Sequence, residues 1–140
     1  DSNKVIADFM KGFRITDEIK AKVEAARAIV IEAAKSKDIM AMSRENTDDF
    51  LKEKIKSLDF LEFMAIADTD GELRGTSAPV EVQNCSSREY FQRALTGETY
   101  TSAEYISLFS SNYNITIATP IHEKNTVAGI ILADISLKEN

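Results

Sequence analysis

The chain has 140 residues, 44% hydrophobic and 29% charged, which fits one globular domain with a single core. Its net charge of -6 is unevenly spread: residues 1–60 hold twelve basic and twelve acidic side chains, residues 61–140 five basic (Arg74, Arg88, Arg93, Lys124, Lys138) against eleven acidic. An acidic half with so few cations neutralises few phosphates, which argues against nucleic acid as a partner, and no apolar run approaches the roughly 20 residues that span a bilayer.

From Val5 to Ala33 the residues Val5, Phe9, Gly12, Thr16, Ile19, Val23, Ala26, Val30 and Ala33 are spaced alternately by four and three, one stripe down a helix. A helix of about 30 residues reaches about 45 Å, longer than a small globule needs. The surplus is expected to pack against a second copy of the chain or lead toward a membrane segment; lying wholly on its own domain is the alternative. Lys35 to Ser43 breaks the pattern. Asn46 or Thr47 then reads as an N-cap, with Asp48 and Asp49 in the first turn of a helix over about 47–58. Its apolar face, Phe50 or Leu51, Ile55 and Leu58, suits plain packing.

Past Phe60 the period becomes extended. Residues 63–67 predict a buried strand, Asp70-Gly71 a hairpin turn in which glycine accepts a positive φ, and Leu73 to Ser77 the return strand. Residues 78–84 form a loop. Ser86 with Glu89 three residues on reads as a capping box, opening a short helix from Ser87 to about Leu95 that Gly97 stops. Strands follow near 99–107, 112–121 and 126–136, the last two joined by a tight turn around Glu123-Lys124-Asn125. Short connections imply antiparallel neighbours. The result is an α+β architecture: a five-stranded antiparallel sheet with helices on one face and a ligand cavity facing the other.

The order long helix, second helix, hairpin, short helix and three-stranded meander resembles the PAS-like Cache family of extracytoplasmic sensors. The carrying residues are Ala67-Asp68-Thr69-Asp70-Gly71, Ser87-Arg88-Glu89-Tyr90-Phe91, Ala94-Leu95-Thr96-Gly97, Thr116-Ile117-Ala118-Thr119-Pro120-Ile121 and residues 129–137, from Gly129 through Asp134 to Leu137. They stand in order over about 75 residues, and one sheet unit makes a single Cache module the expected form, with the first module of a tandem protein as the alternative. Residues 1–60 match as the family's signalling and dimerisation helices, residues 61–140 as its ligand-binding sheet unit. In the amino-acid-binding branch, ligands lie between the inserted helix and the sheet. By position, the resemblance gives Arg88 and Tyr90 to a ligand carboxylate, Tyr105 and Asp134 to an ammonium. Gln83 stands where that branch has a Tyr, and Tyr90 where it has a Trp; these departures bear on ligand identity.

Elementary chemistry supports the same residues. Arg88 is one of five cations in an acidic half, and its planar fork can hold a carboxylate through two hydrogen bonds. A surface ion pair with Glu89 or Glu81, or a helix cap, is its structural alternative. Asp134 sits among Ile130, Ile131, Leu132, Ala133 and Ile135, and facing inward it needs a partner because an unpaired buried charge is costly. A ligand ammonium supplies one; the Tyr105 hydroxyl, a backbone amide or an Arg are the internal choices. With period two Asp134 shares a face with Leu132 and Ile130. Tyr90, Tyr100, Tyr105 and Tyr113 offer an aromatic, hydroxyl-rich lining, and Ser107 and Ser110 flank a lid-like loop, with Phe91 and Phe109 as filling.

No catalytic residue, metal or cofactor is expected. Cys85 is the single cysteine, Cys-x-x-Cys-His is absent, His122 falls at an exposed strand end, and Asp68 with Asp70 is turn chemistry rather than a calcium loop. The expectation is therefore the periplasmic or extracellular ligand-binding part of a prokaryotic membrane receptor: a chemoreceptor, histidine kinase or cyclic-dinucleotide enzyme. Its output domain and membrane segments would flank this chain, and its dimer would form through the N-terminal helix. The expected ligand is a small amino acid or related zwitterion, with a simple carboxylate or an amine next; the rival is a ligand-free dimerisation module.

Overall fold

The computed structural model describes residues 17–102 and 114–136. Helix α1 (Asp17–Ala34) is the C-terminal part of the predicted long helix, and Val23, Ala26, Val30 and Ala33 of its stripe are all buried. The expected portion before Asp17 lies outside the described residues. A 3-10 turn, Ile39–Ala41, follows Asp38, whose φ of 56° turns the chain back.

Helix α2 (Arg44–Lys54) starts earlier than the sequence suggested, because Ser43 rather than Asn46 or Thr47 is the cap. Ser43 Oγ accepts the Asn46 N–H at 3.1 Å, satisfying one of the orphan donors of the first turn. Thr47 is freed to bury, its hydroxyl donating to the Ser43 carbonyl at 2.8 Å. A 3-10 turn, Ile55–Ser57, carries the chain into the sheet.

Strands β1 (Leu61–Asp68), β2 (Leu73–Thr76), β3 (Tyr100–Thr101), β4 (Asn114–Glu123) and β5 (Thr126–Ser136) form one antiparallel sheet in the order β2-β1-β5-β4-β3. The β1–β2 turn rests on Asp68, whose Oδ1 accepts the N–H groups of Asp70 at 2.9 Å and Glu72 at 3.1 Å, with Gly71 at φ 84°. Lys124 and Asn125, at φ 51° and 71°, make the two-residue β4–β5 turn with the twist a tight hairpin needs. Most of the predicted strand 99–107 lies outside the described residues.

Helix α3 (Glu89–Leu95) is the inserted helix. The expected capping box does not form: Ser86 and Ser87 lie in a turn, Ser86 N–H is taken by Asn84 Oδ1 at 2.8 Å, and Arg88 occupies the N-cap without a side-chain cap bond. Gly97 closes the helix as expected, at φ 101°.

The helices flank both faces of the sheet, where the sequence suggested one. Face one carries Met64, Ile66, Ile115, Ile117, Ile121, Ile131, Ala133 and Ile135 against Val23, Ala26 and Val30 of α1 and Leu51 of α2. Face two carries Ala65, Ala67, Ala118, Ile130 and Leu132 against Phe91 and Ala94 of α3. The reason is strand periodicity: both faces are apolar, so each takes a cover.

Helix α2 grips the edge strand. Asp48 Oδ1 accepts the Thr76 N–H at 2.7 Å, and Arg44 donates to Asp48 at 3.1 Å and to the Leu73 carbonyl at 3.2 Å. A β-carbon at Gly75 would collide with Thr47 Cγ2 and Cβ. Gly75→Ala is therefore expected to destabilise the domain by about 1–3 kcal/mol in urea unfolding, as overpacking does. Adding Thr47→Ser, which deletes Cγ2, should recover part of the loss; equal stability of Gly75→Ala and the parent would contradict this contact.

Candidate functional site

Two neighbouring rows of the sheet build the floor of a cavity. In the first, Ala65, Leu132, Ala118 and Tyr100 are cross-strand partners; in the second, Phe63, Asp134 and Thr116 are, and Ser102 extends the row by exchanging bonds with Thr116. Helix α3 packs Phe91 and Ala94 against the alanines. Its first residues, Arg88, Glu89 and Tyr90, reach over the second row, where the floor is polar. The cavity volume is about 460 Å³, lined by those three with Phe63, Tyr100, Ser102, Asn114, Thr116, Leu132 and Asp134. Ligand pockets commonly measure about 300–1,000 Å³.

The roof is held at its far end. Arg93 forks onto Glu98 at 3.0 and 3.2 Å and lies over the Tyr100 ring at 5.2 Å, tying α3 to the start of β3. Glu89 also reaches Arg93, at 3.7 Å, so the ion pair with Arg88 considered from sequence does not form with Glu89, nor with Glu81. Among the described residues the exposed Arg88 guanidinium has no hydrogen-bond or ion-pair partner.

Asp134 is half-buried, and Thr116 Oγ1 donates to its Oδ1 at 2.6 Å. Burial raises its pKa above the ordinary carboxylate value and nearby Glu62 adds to that; the Thr116 hydrogen bond and the Arg88 charge oppose it. Burial likewise pushes the Tyr90 hydroxyl up, with Cys85 and Asp134 adding to the effect. The buried Cys85 thiol, beside Tyr90, is raised by burial too.

The cavity thus brings together Arg88, Tyr90 and Asp134 of the sequence-predicted site. Tyr105, Ser107 and Tyr113 lie outside the described residues. His122 is exposed, as its strand-end position suggested. Sequence reasoning did not single out Thr116, Ser102, Asn114, Glu89 or Phe63, and named Tyr100 only as one of the tyrosines. A signal was available for Thr116 and Asn114, which alternate with Ile115 and Ile117 and so share one face of β4. Among the described residues no three His, Cys, Asp or Glu side chains converge as a metal site, and no helix is long and apolar enough to cross a membrane.

The fold is shared with solved sensor and ligand-binding domains. No protein-family model and no curated protein sequence matches the chain. Solved structures do. The sensor domain of the V. cholerae histidine kinase DctB superposes with a TM-score of 0.74 at 15% identity, over 99% of this chain and 58% of that one. The ligand-binding domain of the Pseudomonas fluorescens chemoreceptor CtaA, solved with L-leucine, gives 0.67 at 18% identity over 86% of this chain and 53% of that one. That of the Pseudomonas aeruginosa PAO1 amino-acid chemoreceptor PctB, solved with L-Arg, gives 0.67 at 18% identity over 96% and 58%. This chain spans between half and three fifths of their lengths. Likeness at such low identity establishes the fold, the PAS-like Cache arrangement expected from the sequence.

The raised pKa of Asp134 has a consequence for stability. The penalty on the ionised form is present in full above the raised folded-state pKa and vanishes as pH falls below the ordinary value of 3.8. Asp134→Asn removes the charge and keeps an oxygen for Thr116. It is expected to melt above the parent at pH 7, with the difference closing as pH falls toward 3.8. Thermal melts across that range check the sign; a variant less stable than the parent at pH 7 contradicts it.

Proposed function

We propose that this chain is the extracytoplasmic ligand-binding module of a transmembrane signal-transduction receptor, and that its cavity takes a small amino acid or related zwitterion. The observation that carries the reading is one cavity walled by an Arg88 guanidinium without a partner among the described residues and by the carboxylate of Asp134. Asp134 is half-buried with one hydrogen bond from Thr116, so a ligand ammonium would complete its pairing, and the exposed Arg88 fork is open to a ligand carboxylate. Arg88 would hold the ligand carboxylate, Asp134 the ammonium, and Tyr90 the aliphatic portion. The amino acids held by the structurally similar CtaA and PctB domains support the class.

In this reading the chain is a sensor and not an enzyme; any output enzyme lies in a different part of the receptor. The long N-terminal helix is the dimerisation and signalling element. A route to it runs through β3: Tyr100 and Ser102 line the cavity, while Thr101 between them accepts a hydrogen bond from Arg27 of α1 at 3.2 Å. Ligand that reseats β3 biases the position of α1 by its differential affinity for the two arrangements.

The test is a thermal-shift screen of the purified domain with the L-amino acids, simple carboxylates and amines. A native-state ligand at a hundredfold over its Kd stabilises by about 2.7 kcal/mol, which moves a melt by several degrees. At least one amino acid is expected to produce that rise, and Arg88→Ala to abolish it without lowering the unliganded melting temperature. A flat screen together with a dimer in sedimentation would instead favour the ligand-free dimerisation module.

A further inference from the structure

Thr116 stands opposite Asp134 in the β4–β5 register, so the 2.6 Å hydrogen bond between their side chains is built into the sheet. Its backbone is fixed from the other side: its N–H donates to Ser102 Oγ at 2.9 Å and its carbonyl accepts the Ser102 N–H at 2.8 Å. A β-branched side chain on a strand pinned from both sides has few rotamers to choose from. Its single hydroxyl proton is committed to Oδ1, and Oδ2 remains an acceptor.

The groups around Asp134 divide in two. Burial and Glu62 on β1 favour the neutral acid; Thr116 on β4 and Arg88 at the start of α3 favour the carboxylate. Tyr90 and Glu89 share the cavity wall. Once a ligand carboxylate engages Arg88, that charge is largely neutralised, and of the protein's own groups Thr116 is left to support the ionised form that receives the ligand ammonium.

The geometry points to Thr116 as the positioning residue that holds Asp134 as an oriented carboxylate and thereby makes the cavity select ligands carrying a protonated amine. This rests on the proposed ligand-binding role of the cavity. Thr116 acts through Asp134, and its hydroxyl supplies no charge of its own to the ligand.

Two measurements on the whole domain test it. The first needs no ligand: the pH titration of the Asp134 carboxyl carbon by NMR in the parent, Thr116→Val and Thr116→Ser. Valine keeps the shape and deletes the hydroxyl; serine keeps the hydroxyl. The Thr116→Val midpoint is expected to rise by about one pH unit, the tenfold equivalent of a hydrogen bond to a charged group, while Thr116→Ser follows the parent. The second is calorimetry at pH 7 with the L-amino acids of the thermal-shift screen, L-leucine, L-isoleucine and L-arginine among them, and their N-acetyl derivatives. The parent is expected to bind at least one free amino acid and not its N-acetyl form, and Thr116→Val to bind it about tenfold more weakly. A Thr116→Val midpoint equal to the parent's, or a shifted midpoint with unchanged affinity, overturns the proposal. If the midpoint shifts and none of the L-amino acids binds the parent, the Thr116–Asp134 pairing stands, and both the ligand reading and its amine selectivity fall. If Thr116→Val does not fold, Thr116→Ala takes its place with the same expected outcomes.

Discussion

A carboxylate in the middle of an apolar strand is the constraint on which the site depends. Alternation along β5 leaves Asp134 two choices: the face under α1, packed with isoleucines, or the face under α3. On the first it would be sealed in hydrocarbon. On the second it meets Thr116 as its cross-strand neighbour and lines an open cavity. The register that satisfies Asp134 also buries Ile131, Ala133 and Ile135 under α1, so one alignment serves both needs. A slip of one residue would reverse both at once.

Side-chain size divides the two faces. Six isoleucines of β1, β4 and β5 lie under α1 and α2, and burying each contributes about 1.5–3 kcal/mol. Across the sheet the corresponding floor is largely alanine: Ala65, Ala67 and Ala118. Small residues let the short helix α3 sit close, with Phe91 filling the space beneath it. Past the alanine row the floor turns to Asp134, Thr116 and Ser102, and α3 has already ended in the N-cap residue Arg88. The cavity opens where the helix runs out above a polar row. Stability comes chiefly from one face, and the polar groups of the candidate site lie on the other.

Much of this was legible in the sequence, for physical reasons that differ between elements. The strands announced themselves because their apolar runs are bounded by residues that turn the chain for local reasons: Asp68 and Gly71, Gly97, and Lys124-Asn125. The alternation of Asp134 with Ile135 and Ala133 gave its face correctly. The caps were harder. Ser43 and Asn46 are both good caps in isolation, and which one serves is set by the burial of Thr47 against β2, a tertiary contact. The same holds for Ser86, whose backbone N–H is claimed by Asn84 before a capping box can form. Thr116 was overlooked because a threonine in a strand is ordinary; only its registration opposite Asp134 gives it meaning, and registration is a property of the pair. The inserted helix was legible, and the resemblance set it across the ligand from the sheet; the expectation of helices on one face left out that Phe91 and Ala94 suffice to cover a floor of alanines.

The geometry also explains how a site on one face can act on an element lying on the other. An antiparallel sheet is a single layer, and consecutive residues of a strand face opposite sides. Tyr100 and Ser102 look into the cavity, while Thr101 is bound from behind by Arg27. Among the described residues β3 pairs only with β4, and unlike the other edge strand, β2, it is not gripped by α2, so it shifts at less cost to the ladder than the central strands. The central strands β1 and β5 are pinned on both sides and buried on both faces, and they act as a fixed reference. In the proposed reading, a ligand held between Arg88 on the roof and Asp134 on β5 would work against a rigid floor. Its effect would be directed outward, into the roof helix and the edge strand, and the edge strand is the part of the cavity that α1 holds through a side-chain hydrogen bond.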